Sequence, residues 1–162
     1  MRVNSRPWNK ETLFARLEEI CTPEGVQAAR KLYSFAEERG ATFEPWNDGI
    51  FASATARFRG GNGKGRLSVF ALEDWLEDGK SKGKFAINFA YLARNGRVPQ
   101  PLLVRLAESF RTIPGVKERL AGLEERQFRI RPSLPIDEIL VQPGAAEKIQ
   151  AALDDLIHSI PQ

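Results

Sequence analysis

Seven cations fall within 28 residues of this chain: Arg57, Arg59, Lys64, Arg66, Lys80, Lys82 and Lys84. The planar fork of arginine donates two hydrogen bonds to a phosphate, and lysine adds a compact point charge. Residues 49–72 and 79–107 together hold ten cations and no acid, which leaves −7 on the rest of a chain whose net charge is +3. A cationic middle between mildly acidic flanks is the electrostatic footprint of a domain that meets a polyanion, nucleic acid first among them. The competing reading is that lysine and arginine line loops and strand edges for solubility and to discourage edge pairing.

Other groupings invite catalysis and fit it less well. Asp78-Gly79-Lys80 has the Asp-x-Lys spacing of metal-dependent nucleases, with Asp48 as a second carboxylate. Two such carboxylates can hold magnesium while the lysine orients an attacking water. In those nucleases the motif lies on a strand of a mixed core sheet, whereas here the pattern puts it in a connection between strands. Gly60 to Gly65 reads as a glycine-rich loop, but a phosphate-binding loop needs Lys followed by Ser or Thr at the start of a helix. Arg66 and Leu67 follow instead and open a strand. One cysteine, Cys21, and one histidine, His158, make neither a zinc site nor a nucleophile pair. Cys21 belongs to a buried helical stripe, and His158 sits one position off another. No metal or other cofactor is expected.

The elements that must position the cations follow from periodicity. Asn9 caps a first helix with Leu13, Phe14, Leu17, Ile20 and Cys21 on one face. Thr22-Pro23 opens a second, striped by Val26, Ala29, Leu32, Tyr33 and Ala36 and closed at Gly40. The period then drops to two. Short edge strand 42–46 is followed by strands 50–59, 66–72 and 84–91, joined by short connections that favour antiparallel pairing. Helices return after Pro99, after Pro114-Gly115 and from Gly144, with one short strand at 128–130 and a single helical turn at 136–140. Alternation places Ser53, Thr55, Arg57 and Arg59 on one side, where Arg66, Ser68, Lys84 and Asn88 can join them. Phe51 and Phe70 are the aromatics in register with that face. Trp75, set among Glu73, Asp74, Glu77 and Asp78, is expected to fold back over one end of the sheet.

Several loose motifs recur in one order. Trp8, Glu11 and Leu13-Phe14 open the first helix, and Trp46 and Gly49 flank a turn. Leu67 to Phe70 read Leu-Ser-Val-Phe, Gly83, Ile87 and Phe89 mark a strand, and Arg131 to Pro135 read Arg-Pro-Ser-Leu-Pro. In this order the chain resembles a family of uncharacterised bacterial domains of about this length. The resemblance implies an α+β domain and carries over no catalytic residue; the basic glycine-rich segment 60–65 departs from the family pattern.

The expected fold is therefore α+β: an antiparallel meander of three to five strands flanked by N-terminal and C-terminal helices, one domain over residues 1–162. The apolar runs fall short of the ~18 residues that span a bilayer. The segment Met1 to Trp8 has no apolar stretch of the kind secretion uses, and a lone cysteine suits a reducing cytoplasm. The leading function is a non-catalytic binding module that contacts nucleic acid or another polyanion through a basic sheet face built from the seven cations. A divalent-metal nuclease or phosphodiesterase using Asp48, Asp78 and Lys80 is the alternative, and a protein-interaction or scaffold domain is the third class.

Overall fold

A computed structural model describes residues 6–59 and 65–160. The Gly60–Lys64 stretch, most of the expected glycine-rich loop, lies outside the described residues. Helix α1 (Lys10–Ile20) starts at a reciprocal cap, in which the Asn9 side chain accepts from Thr12 N and the Thr12 hydroxyl accepts from Asn9 N. Helix α2 (Pro23–Glu38) starts at Thr22, whose hydroxyl accepts from Gly25 N. Asp137 reaches back from late in the chain to accept from Thr22 N and Oγ1, so the two ends of the sequence meet at this cap.

An open antiparallel sheet follows: β1 (Ser53–Arg59), β2 (Arg66–Glu77), β3 (Lys80–Ile87) and β4 (Ser133–Pro135), in that spatial order. Helices α3 (Phe89–Asn95), α4 (Gln100–Arg111) and α5 (Val116–Arg119) lie between β3 and β4; a π-helical turn over Ile136–Leu140 leads to α6 (Ala145–Ser159). One sheet face carries Phe70, Leu72, Phe85 and Ile87, all fully buried. Phe110 of α4 approaches Phe85 at 6.1 Å between ring centroids. Gly83 lies on the same face: a Cβ there would sit 2.4 Å from Cys21 Sγ and 3.3 Å from Leu17 Cδ2. Only glycine lets α1 come this close to the strand. Helices from both halves of the chain thus cover one face of the expected antiparallel meander. Leu17, Leu32, Leu67, Val69, Phe89, Leu106 and Leu156 are buried in the same core.

Five expectations are corrected. Segment 42–46 forms a single bridge, Thr42 to Arg57, because Pro45 has no N–H to continue a ladder. β2 runs on through the acidic stretch to Glu77 and turns at Asp78-Gly79, where both residues have positive φ (53° and 77°). That pair is the standard two-residue hairpin turn, so β3 begins at Lys80 and ends at Ile87, and Phe89 and Tyr91 belong to α3. The strand expected at 128–130 is a turn, with φ of 62° at Phe128, and the short strand lies at 133–135. Trp75 does not fold back: it is 55% exposed, its ring 5.0 Å from that of Phe51.

Candidate polyanion interface

The second face of the sheet is polar, and register decides which of its groups meet. Arg59 lies directly opposite Arg66, and Arg57 opposite Ser68; a bulge leaves Val69 as the extra residue between the pairs Ala56–Phe70 and Arg57–Ser68. Directly opposed residues share a face, so Arg57, Arg59 and Arg66 stand together at the β1–β2 end farthest from the Asp78-Gly79 turn.

The bonding of these arginines is specific in kind. Arg57 Nη1 donates to Phe43 O at 3.0 Å and Thr55 O at 3.3 Å. Arg66 Nη1 donates to Gly40 O at 2.8 Å and Arg57 O at 3.2 Å. Arg59 is exposed. Among the described residues none of the three has a carboxylate partner. Carbonyl oxygens fix the guanidinium groups without neutralising them, so the charge stays available to an anion. Like charges held directly opposite each other on a strand pair weaken it, and here that cost is retained. Tyr91 Oη donates to Arg66 O at 3.4 Å, which ties α3 to the same corner.

The other expected cations are used differently. Lys84 is 3% exposed and donates to Glu77 Oε1 at 2.5 Å. Lys82 donates to Glu77 Oε2 at 2.9 Å and lies 3.8 Å from Glu138 Oε1. Arg119 of α5 joins Glu77 at 3.4 Å. The Glu77 carboxyl is held down at about 2, first by the bond from Lys84, then by that from Lys82. Lys80 is exposed beside the turn. Lys64 lies outside the described residues. The six described cations therefore do not form one sheet-wide basic face: three arginines at one end have no carboxylate partner among the described residues, and Lys82 and Lys84 are paired with Glu77 at the other.

The polar partners expected on that face are also committed. Glu73, 8% exposed, accepts from Arg131 Nη1 at 2.8 Å, Arg131 Nη2 at 3.1 Å and Ser53 Oγ at 3.1 Å. Arg131 Nε donates to Asn88 Oδ1 at 2.9 Å. Phe70 is fully buried. Trp75, the exposed tryptophan, is nine residues along β2 from Arg66, about 30 Å at strand rise. It cannot stack a base held at the arginines.

The Asp-x-Lys motif lies at a strand connection, as its sequence context implies, and not within a core strand. Asp78 occupies the hairpin turn, and among the described residues no group of three or more His, Cys, Asp or Glu side chains is placed to hold a metal ion. Burial pushes the Cys21 thiol up to about 12, the opposite of what a nucleophile needs. His158 Nδ1 lies 2.8 Å from Asp154 O of its own helix. Among the described residues no helix is long and apolar enough to cross a membrane. Comparison with protein-family models, with curated proteins and with solved structures finds no match.

Sequence reading missed the anions that select among the cations. Glu73 and Glu77 are close to them in sequence, but their partners Arg131 and Arg119 lie more than forty residues away. Only the Asp78-Gly79 turn signal could have placed Glu77 opposite Lys80 and within reach of Lys82 and Lys84.

Proposed function

We propose that this chain is a non-catalytic binding module that contacts a polyanion, nucleic acid being the leading candidate, through Arg57, Arg59 and Arg66. The observation that carries the reading is the directly opposed Arg59–Arg66 pair, left without a carboxylate among the described residues on a sheet that pairs its buried Lys84 with Glu77. Two of the guanidinium groups are already fixed by carbonyl oxygens, so little side-chain freedom is lost when they meet phosphates. With Trp75 far along the strand, contacts run to the backbone and discriminate little between sequences.

The test is a fluorescence titration of labelled single-stranded DNA, RNA and duplex DNA at low and at physiological salt. Arg59→Glu is the informative variant, because the exposed Arg59 side chain makes no described hydrogen bond and its replacement should leave the fold intact. Binding by the unmodified protein that weakens steeply with salt, and is lost in Arg59→Glu, supports the reading. No binding at low salt, or binding that Arg59→Glu leaves untouched, removes it.

A further inference from the structure

The opposite end of the sheet presents an unlike surface. Among the described residues the large apolar side chains that stand exposed are Ile50, Trp75 and Leu76, at 59%, 55% and 48%, the last two on alternate faces of β2 near its turn. Ile50 lines a groove of about 510 Å³ between α1 and the sheet, together with Trp8, Arg16, Phe51, Asp74 and Ser81 among others. Leu76 is paired with Ser81 and shares its face; the Trp75 ring rests on Phe51. The groove is built, because Trp8 Nε1 donates to Gly49 O at 2.9 Å and so pins the loop that carries Ile50 against the start of α1.

The wall of this groove holds an incompletely satisfied charge. Asp74 is 2% exposed. Its Oδ2 accepts from Arg16 Nε at 2.9 Å, while Oδ1 is buried with no hydrogen-bond partner among the described residues. A buried carboxylate oxygen without a donor is costly, and a cationic or N–H donor arriving from outside relieves it. Arg16 is shared further, donating to Glu19 Oε2 at 2.8 Å and Ser81 Oγ at 3.1 Å. The exposed charges nearby lean negative: Glu19 on the groove wall, Asp48 beside the Ile50 loop and Asp78 after Leu76, against Lys80.

We propose that this groove docks a peptide segment of a partner protein that presents a large apolar side chain close to a lysine or arginine. The apolar anchor packs on Ile50, Phe51 and Leu76. The cation meets Glu19 and, with movement of the Arg16 guanidinium, the free oxygen of Asp74. This surface is independent of the arginine end, so either assignment can fail alone.

The experiment selects a phage-displayed random peptide library on the full chain, in parallel with Ile50→Ser/Leu76→Ser, Asp74→Asn and Arg59→Glu. The double variant changes only exposed side chains, so it should fold. The expected result is enrichment of sequences that pair an apolar residue with lysine or arginine, with affinity lowered about tenfold or more in the double variant. Asp74→Asn should reduce the preference for the cation, and Arg59→Glu should change nothing. The absence of enrichment, enrichment of acidic sequences, or selection unaffected by the double variant would overturn the proposal. So would concentration-dependent self-association abolished by Leu76→Ser, which would give the patch to a second copy of the chain.

Discussion

At the end of the sheet around residues 57–66, three arginines share a face, bonded only to carbonyl oxygens or exposed to solvent. At the end around residues 77–84, Lys82 and Lys84 share Glu77, and Arg119 closes the group. Both ends carry cations at period-2 spacing, arginines at one and lysines at the other. What separates them is the supply of carboxylates. β2 is acidic toward its turn and basic at its start, and β3 lays its lysines against the acidic half. A cation on this sheet is structural where a carboxylate reaches it and available where none does. Burial follows the same division: Lys84 can be 3% exposed because Glu77 compensates it, whereas Arg59 stays in water.

The sharpest way to break this comparison is to remove the compensating acid. Glu77→Ala leaves Lys84 buried without its partner and should cost about 2–4 kcal/mol in a urea melt. A loss below about 0.5 kcal/mol, the range of an ordinary surface substitution, would mean that Lys84 does not depend on Glu77.

The same network sets a pH dependence. Lys84 and Lys82 hold the Glu77 carboxyl at about 2, below its ordinary value of 4.5. Between those values the folded chain binds fewer protons than the unfolded one. The stability contributed by Glu77 is therefore complete above about 4.5 and is lost as pH falls toward about 2. The urea midpoint should fall across that window, and Glu77→Gln should flatten the part of the fall that belongs to this group. An unchanged pH profile in the Gln variant would place the acid sensitivity elsewhere.

At the other end the expected stability effect is small and of opposite sign. Arg59→Ala removes one member of a like-charged pair and no described hydrogen bond. Its thermal midpoint should be unchanged or slightly raised, within about 0.5 kcal/mol. Destabilisation well beyond that would show that Arg59 is structural, as Lys84 is.

How much of this was legible in the sequence differs by element. Periodicity revealed α1 and α2, because Asn9, Thr22-Pro23 and Gly40 mark their ends locally, and it put Arg57 and Arg59 on one side of β1. It failed for β2 beyond Leu72, where Glu73 and Asp74 are buried on opposite faces of the strand. Their burial rests on Arg131 and Arg16, each 58 residues away, and no local pattern reports such partners. The alternation of Phe85, Ile87, Phe89 and Tyr91 continued by chance into α3, whose end at Gly96 has a positive φ of 84°. β4 was hidden by Pro135, which pairs with Lys84 at the sheet edge, a position where a missing N–H is tolerated. Of the candidate site, the residue types and the shared face were legible; which charges remained uncompensated was decided by tertiary contacts.

The central claim, that availability and not residue type separates the two ends, is tested most directly by comparing Arg59→Ala with Lys82→Ala in the salt dependence of nucleic-acid binding. Both variants remove one positive charge from an accessible side chain. If Arg59 contacts phosphate, its removal should reduce the slope of log affinity against log salt by about one, and Lys82→Ala should leave slope and affinity unchanged. Equal losses in the two variants, or a larger loss in Lys82→Ala, would contradict the account.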